Sequence, residues 1–174
     1  MTSTTIRRWR DLPVDHRRWI VINAILITAI VNIAINGFLA WISVRGQHVV
    51  PIWGLPGPGK TNVMTDTVGT FFFLPLFTCA TCTTAVWAQL RTGRLSRLEA
   101  AIPRHLAHGR LRRGAVLGVG TVAVLAPLTA AIVAIGRVGS VSTTGFVFYK
   151  MTLGLLLGLV LTPVIAVLAM TDAF

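Results

Sequence analysis

The sequence is short of acidic residues and of charge in general. Only five of its 174 residues are Asp or Glu, and charged residues of both signs make up 12%, against about 25% in an ordinary soluble domain. None of the carboxylates lies in the middle of a long apolar stretch. Because proton relays and cation pathways through membranes usually depend on such carboxylates, both functions are disfavoured.

Cysteine and histidine are also scarce, which limits redox and metal chemistry. Cys79 and Cys82 are the only cysteines, so no second pair could relay electrons from them. A haem held between helices needs axial ligands within them, and all four histidines lie outside the apolar stretches. We predict no metal site and no cofactor, and the sequence identifies no catalytic residue.

What the sequence does contain is four long apolar stretches, at residues 19–43, 67–90, 114–135 and 145–170. Each exceeds the roughly 20 residues that a helix needs to cross a hydrocarbon core about 30 Å thick. The first stretch lacks a small-x-small cleavage site and is therefore predicted to be retained. We predict an all-α, polytopic membrane protein: a basic cytoplasmic arm over residues 1–18, then a single four-helix transmembrane domain over residues 19–174.

The basic residues are distributed unevenly around these stretches. Of the 16 Lys and Arg residues, twelve precede the first stretch or lie between the second and third. Three lie in the other connections, and Lys150 lies inside the fourth stretch. The positive-inside rule then places both termini and the 91–113 loop in the cytoplasm. We predict an N-in, C-in protein of the bacterial inner membrane, whose net charge of +11 reflects orientation and not nucleic-acid binding.

The 91–113 loop is predicted to contact lipid or a partner. Leu95, Leu98, Ile102 and Leu106 recur at helical spacing among arginines, which is typical of a short helix on an anionic membrane surface. The arginines expected to contact anionic lipids or a partner protein are Arg94, Arg97, Arg104, Arg110, Arg112 and Arg113.

Two asparagines and one lysine are the polar residues that stand out within the apolar stretches. Asn32 and Asn36 lie one helical turn apart and share a face, so they either bond to another helix or line a polar path. Asn23, nine residues before Asn32, is expected on the opposite face. Lys150 either extends to the outer headgroups or pairs with Asp66 at the start of the second helix.

From these residues we predict a path for an anionic solute or lipid. Asn32, Asn36, Asp66, Thr70 and Lys150 would line the path or bind its ligand. Arg45 and Arg137 would make its outer mouth positive.

Residues 54–61, GLPGPGKT, match the phosphate-loop pattern G-x-x-x-x-G-K-[ST]. That chemistry needs a preceding strand, a following helix of an α/β domain, and backbone N–H groups that surround the phosphates. Pro56 and Pro58 remove two of those N–H groups, and the charge rule places the loop outside. We therefore predict a Gly/Pro turn that binds no nucleotide.

The Cys79-Ala-Thr-Cys82 motif has the spacing of a redox pair. However, Cys79 lies about 12 residues, or roughly 18 Å, into a helix, beyond the reach of soluble thiol partners. Helix packing is the preferred interpretation, and a Cu(I)-type site and a membrane thiol oxidoreductase stay alternatives.

Small residues and short connections predict how the helices meet. Gly114-xxx-Gly118 and Gly154-xxx-Gly158 allow close approach of helix backbones, within the chain or between protomers. Pro75, Pro127 and Pro163 could kink or unwind their helices. The short connection at residues 136–144 predicts a tight antiparallel hairpin of the third and fourth helices. Similar ends of the first and third stretches, FLAWISVRG and AAIVAIGRVG, suggest two halves of the same topology.

The runs DTVGTFFFLPLFT at residues 66–78, FVFYK at 146–150 and LTP at 161–163 resemble a pattern in a family of small four-helix membrane proteins of bacteria. The resemblance implies the fold and no activity.

The leading functional prediction is a small channel, transporter or lipid-handling protein that acts as a homo-oligomer. The alternative is a scaffold or accessory subunit that binds a partner or anionic lipid through its arginine-rich segments.

Overall fold

The computed structural model describes residues 11–55, 57, 60–98 and 109–172. Within them lie four helices, each long and apolar enough to cross a membrane: α1 (Val14–Ser43), α2 (Val63–Arg91), α3 (Arg110–Gly136) and α4 (Thr143–Met170). They cover the four apolar stretches and extend beyond them at their starts. α1 begins at Val14, so the last residues of the predicted basic arm are helical.

Local signals in the sequence explain where the helices begin and end. Asn62 precedes α2, and its side chain accepts a hydrogen bond from Thr65 N at 2.8 Å; Ser142 caps α4 in the same way through Gly145 N at 3.1 Å. Such side chains satisfy N–H groups that lack a partner in the first helical turn. Arg137 ends α3 in the left-handed conformation, with φ of 50°. Helices α2, α3 and α4 run through their interior prolines without a break.

A small antiparallel sheet joins the two connections at one end of the bundle, which we call the sheet end. Strands β1 (Val49–Pro51) and β2 (Ser140–Ser142) pair with Val50 opposite Val141. No strand was predicted in either connection. The sheet packs on a cluster of buried residues that includes Val44, Val50 and Phe146. The other end of the bundle, which we call the arginine end, holds the start of α3 and the ends of α2 and α4.

The helices lie in the spatial order α1, α4, α2, α3. α4 packs against both α1 and α2, and α2 also packs against α3. The predicted hairpin of the third and fourth helices is wrong, because α3 and α4 do not pack along one another. Gly114 and Gly118 explain the difference: Cβ atoms there would lie 2.9 Å from Leu76 Cα and 2.7 Å from Phe72 O, so these glycines hold α3 closely against α2.

The element order is helix–strand–helix, repeated once. Exchanging the two halves maps the α1–α4 contact onto the α3–α2 contact and leaves the α2–α4 contact unchanged. The prediction of two halves with the same topology is confirmed at the level of element order and packing.

The chain after α2 folds back into the protein at the arginine end. Residues 94–98 are not helical, and Leu95 and Leu98 are buried among Leu12, Met170 and other core residues. Leu98 N donates to Met170 O at 3.0 Å. The predicted helix on the membrane surface is therefore wrong for Leu95 and Leu98, because they face the core. Ile102 and Leu106 lie outside the described residues.

Candidate functional site: a groove between α1 and α2

α1 and α2 do not pack against each other, and a cavity of about 870 Å³ lies between them. α4 packs on both helices and contributes Lys150 to the lining of the cavity, whose other lining residues come from α1, α2 and Thr61. The lining runs from Trp19 and Gln89 at the arginine end to Ser43 and Thr61 at the sheet end. The helix rises roughly 35 Å from Trp19 to Ser43, so the groove extends along the whole apolar length of the bundle.

The five residues predicted to line a path all border this one cavity. Asn32 and Asn36 come from α1, Asp66 and Thr70 from α2, and Lys150 from α4. They meet because α1 and α2 run in opposite directions beside α4, so the end of α1, the start of α2 and the start of α4 lie near the sheet end. The two residues of each pair, Asn32 with Asn36 and Asp66 with Thr70, are four residues apart and therefore face the groove from the same side of their helix.

Arg45 and Arg137, the predicted outer mouth, do not line the groove. The Arg45 guanidinium lies over the Trp41 ring, 4.9 Å from its centroid. Arg137 is exposed at the end of α3. The predicted positive mouth is therefore not formed by these residues. Both lie at the sheet end, but on outer surfaces that do not border the cavity.

Lys150 is almost completely buried, with 3% of its side chain exposed. Its ammonium forms an ion pair with the Asp66 carboxylate and a hydrogen bond with the Thr70 hydroxyl. It also donates to the backbone carbonyl of Asp66 at 3.2 Å, so its three donors all have protein partners. The pairing prediction is confirmed, and the Lys150 side chain stays inside the bundle instead of extending outward. The neighbouring Tyr149 hydroxyl contacts Thr67 Oγ1 at 3.0 Å.

Asn32 and Asn36 lie where α1 crosses α4 and are both buried. Asn36 Nδ2 donates to Asn32 O in its own helix at 2.9 Å. A Cβ at Gly154 would lie 2.6 Å from Asn36 Nδ2, and a Cβ at Gly158 would lie 2.5 Å from Asn32 Nδ2. The Gly154-xxx-Gly158 motif therefore makes room for the two amides. Asn32 Nδ2 has no hydrogen-bond partner among the described residues, so the predicted hydrogen bond between helices is not formed there.

Asn23 also lines the groove, against the expectation that it faces away from Asn32. The reason is that α1 is π-helical over Ile20–Ile27. The i→i+5 hydrogen bonding of a π-helix changes the rotation per residue, so counting 3.6 residues per turn from Asn32 gives the wrong face. No signal in the sequence marks this segment.

Apolar side chains form the rims of the groove. They come from the walls of α1 and α2 and are about half exposed. Among the polar lining residues, Asn32, Asn36, Thr78 and Lys150 are buried and Asp66 and Thr70 are half-buried, whereas Asn23, Thr65 and Thr81 are exposed. The groove therefore has apolar rims and, inside them, a buried or half-buried group of polar side chains (Asn32, Asn36, Asp66, Thr70, Thr78 and Lys150), which we call its polar floor. The rim residues are Ile27, Ile35, Leu39, Phe73 and Phe77.

A buried charged cluster closes the arginine end of the core. Arg113 is fully buried and forms an ion pair with Asp172, whose carboxylate also accepts from Trp87 Nε1 at 3.2 Å. The prediction that Arg113 contacts lipid or a partner is therefore wrong, because its guanidinium faces the protein interior.

The other arginines of that prediction remain on the surface. Arg94, Arg97 and Arg112 are exposed. Arg110 is exposed too and donates to Thr84 Oγ1 at 2.7 Å. Arg104 lies outside the described residues.

The two cysteines are free thiols within α2. Cys79 is fully buried, and its Sγ lies 3.9 Å from Thr83 Oγ1. Cys82 is 7% exposed and lines the groove. In the described part of the chain, no three His, Cys, Asp or Glu residues come together in a way that could hold a metal ion.

The GLPGPGKT segment contains a tight turn. Gly57 N donates to Lys60 O at 3.1 Å, and Lys60 N donates to Gly57 O at 3.0 Å. These N–H groups are thus used within the turn and are not directed at a ligand. Pro56, Pro58 and Gly59 lie outside the described residues. The turn prediction is confirmed for Gly57 and Lys60.

The chain matches no protein-family model, no curated protein and no solved structure in the comparisons made. Its function is therefore inferred from the groove.

Proposed function

We propose that this protein crosses a bacterial inner membrane four times with its arginine end in the cytoplasm. Two features support the proposal. The four helices are long and apolar enough to span a membrane, and the described arginines at the start of α1 and between α2 and α3 lie at one end of the bundle. Arg94, Arg97 and Arg112 are exposed at that end, as the positive-inside rule expects for a cytoplasmic surface.

We propose further that the α1–α2 groove carries a membrane lipid between leaflets, with the headgroup on the polar floor and the acyl chains between the apolar rims. The observation that carries this proposal is the groove itself, in which a buried group of polar side chains lies between apolar rims along the length of the bundle. A polar headgroup would pay a large desolvation penalty in bare hydrocarbon. Asn32, Asn36 and the Lys150–Asp66 pair would replace part of its water.

This lipid pathway needs only one chain, whereas a pore for small ions would need a second surface to seal the open side. The proposed homo-oligomer could supply that surface if the groove of one copy faced another copy. Lipid transfer is preferred because the open side with apolar rims fits acyl chains directly.

The test measures lipid movement between the leaflets of proteoliposomes. Dithionite added outside quenches the fluorescence of labelled lipid in the outer leaflet, so lipid that moves outward is recorded as a further loss of fluorescence. Gly69 lines the groove and has nothing within 4 Å of an added Cβ, so Gly69→Phe places a ring in the groove. Gly120→Phe is the matched control, because it also meets open space but on α3, away from the groove.

We expect the wild-type protein and Gly120→Phe to accelerate lipid movement, and Gly69→Phe to reduce it toward the rate of protein-free liposomes. Absence of movement with the wild-type protein would overturn the proposal. Chloride flux without lipid movement would favour a pore formed by an oligomer.

A second candidate function is a scaffold that binds anionic lipid or a partner through its arginine end. The exposed guanidinium groups of Arg94, Arg97 and Arg112 favour it. Changing these three residues to Gln, with Arg113 kept because it is buried, should abolish the retention of anionic lipid on the detergent-solubilised protein without changing lipid movement. Unchanged retention would count against this role.

A further inference from the structure

Lys150 and Asp66 give the groove a site whose two charges cancel. They are the only charged residues among the described residues that line the cavity. Lys150 reaches the cavity from α4, and Asp66 from the first turns of α2, with its side chain 21% exposed. The predicted positive mouth is thus replaced by one cation and one anion that face the same space.

A ligand with a single charge suits this site poorly. A simple anion could bind Lys150 only by separating it from Asp66, and the carboxylate would then lie unpaired beside a second negative charge. A simple cation would leave the Lys150 ammonium unpaired. A buried charge that loses its partner is strongly destabilising, so either ligand gains one ion pair at the expense of another.

A ligand that carries both charges avoids this cost. A phosphate could accept from the Lys150 ammonium in place of the Thr70 hydroxyl, whose own hydrogen is donated to the backbone carbonyl of Asp66 at 3.0 Å. A primary ammonium on the same ligand could donate to the Asp66 carboxylate. Both buried charges would then keep a charged, hydrogen-bonded partner.

We propose that the Lys150–Asp66 pair is a binding site for a zwitterionic lipid headgroup of the phosphoethanolamine type. The proposal rests on the lipid function of the groove and names its substrate class. The ligand is a membrane lipid and not a soluble zwitterion, because the apolar rims beside the site, including Leu39 and Phe73, fit acyl chains. A trimethylammonium group has no N–H to donate to Asp66, so a phosphocholine headgroup fits less well.

The test compares lipids that differ only in headgroup: phosphoethanolamine, phosphocholine and phosphoglycerol, each with the same labelled acyl chain. Two measurements are made on the full-length wild-type protein. One is lipid movement in proteoliposomes, and the other is the lipid retained on the purified protein in native mass spectrometry. Both measurements use the wild-type protein, so neither can fail because a variant does not fold.

We expect phosphoethanolamine lipid to be retained and moved about tenfold or more in preference to phosphoglycerol lipid, because the anionic lipid leaves Asp66 without a partner. In Asp66→Asn the preference should shift toward phosphoglycerol lipid, since Lys150 then lacks its internal anion. Arg45→Gln, which removes a charge at the same end but outside the groove, should leave the preference unchanged.

The outcomes separate this inference from the lipid function of the groove. Preferential retention of phosphoethanolamine lipid without movement of any lipid would support the site and overturn the transfer function. Equal movement of all three lipids would support transfer and overturn the site. A wild-type preference for phosphoglycerol lipid would also overturn the site, because the pair would then be acting as an anion site. If soluble phosphoethanolamine competed with the labelled lipid as strongly as unlabelled phosphoethanolamine lipid does, that result would overturn the assignment to a membrane lipid.

Discussion

Asn32 of α1 lies directly against Gly158 of α4, and the position of each depends on the other. The amide nitrogen of Asn32 occupies space in which a Cβ at Gly158 would lie 2.5 Å away. One turn along, Asn36 and Gly154 repeat the arrangement. The polar floor of the groove therefore includes two amides from one helix that are accommodated by glycines of the next.

This contact predicts that Gly158→Ala destabilises the protein, although alanine is the better helix former. The added methyl group would force Asn32 aside at a cost of about 1–3 kcal/mol for overpacking. Thermal unfolding in detergent would measure this loss of stability. Gly120→Ala, at an open position, should be neutral or stabilising, and Asn32→Ala should remove the penalty of Gly158→Ala. Additive effects of Gly158→Ala and Asn32→Ala would contradict the contact.

The helix–helix contacts also predict that Gly118→Ala is more harmful than Gly37→Ala. A Cβ at Gly118 would lie 2.7 Å from the backbone oxygen of Phe72, which cannot move without shifting α2. A Cβ at Gly37 would meet the Met151 side chain at 2.8 Å, and methionine adapts through three rotatable bonds. Unfolding midpoints of the two variants would test the order. A lower midpoint for Gly37→Ala would show that α3 is held against α2 less rigidly than we infer.

Arg113 and its sequence neighbour Arg112 should differ sharply on neutralisation. Arg113→Gln leaves the buried Asp172 carboxylate without its ion-pair partner, which costs about 3–5 kcal/mol. Arg112→Gln changes an exposed side chain and should stay within about 0.5 kcal/mol. Chemical unfolding in mixed micelles would compare them. Arg113→Met combined with Asp172→Leu should recover much of the loss, and a double variant as unstable as Arg113→Gln would argue against a simple ion pair.

Thiol labelling should distinguish the two cysteines. In Cys79→Ala the remaining Cys82 lines the groove and should react slowly with a membrane-permeant maleimide. In Cys82→Ala the remaining Cys79 is fully buried and should react only after denaturation. Mass spectrometry of the wild-type chain should find both thiols reduced. A native disulfide, or fast labelling of both cysteines, would instead revive the thiol oxidoreductase hypothesis.

Much of the candidate site could be predicted from residue type and helical spacing. A lone amide or ammonium in an apolar helix needs a polar surrounding, and Asn32 and Lys150 both border the groove. The spacing of Asp66 from the start of α2, and of Lys150 from the start of α4, places both near the same end. The pair is therefore predictable without knowing which helices pack together.

The predictions that were wrong concern residues whose positions depend on contacts with distant parts of the chain or on irregular helix geometry. Arg113 resembles the other arginines of its segment, and only Asp172, 59 residues away in sequence, distinguishes it. Asn23 was placed by α-helical periodicity, which the π-helical segment of α1 does not follow. β1 and β2 are three residues each and are separated by two helices, so neither has a recognisable pattern of its own.

By itself the sequence determined that this chain forms four long apolar helices, and that one set of connections is strongly basic. These properties are local, because apolar length and charge follow directly from consecutive residues. Only the tertiary structure decided that α3 packs on α2 and not on α4, and that α1 and α2 stand apart to leave a groove. Those outcomes depend on close fits such as Gly118 against Phe72 and Gly158 against Asn32, in which both partners, distant in sequence, are needed to set the distance.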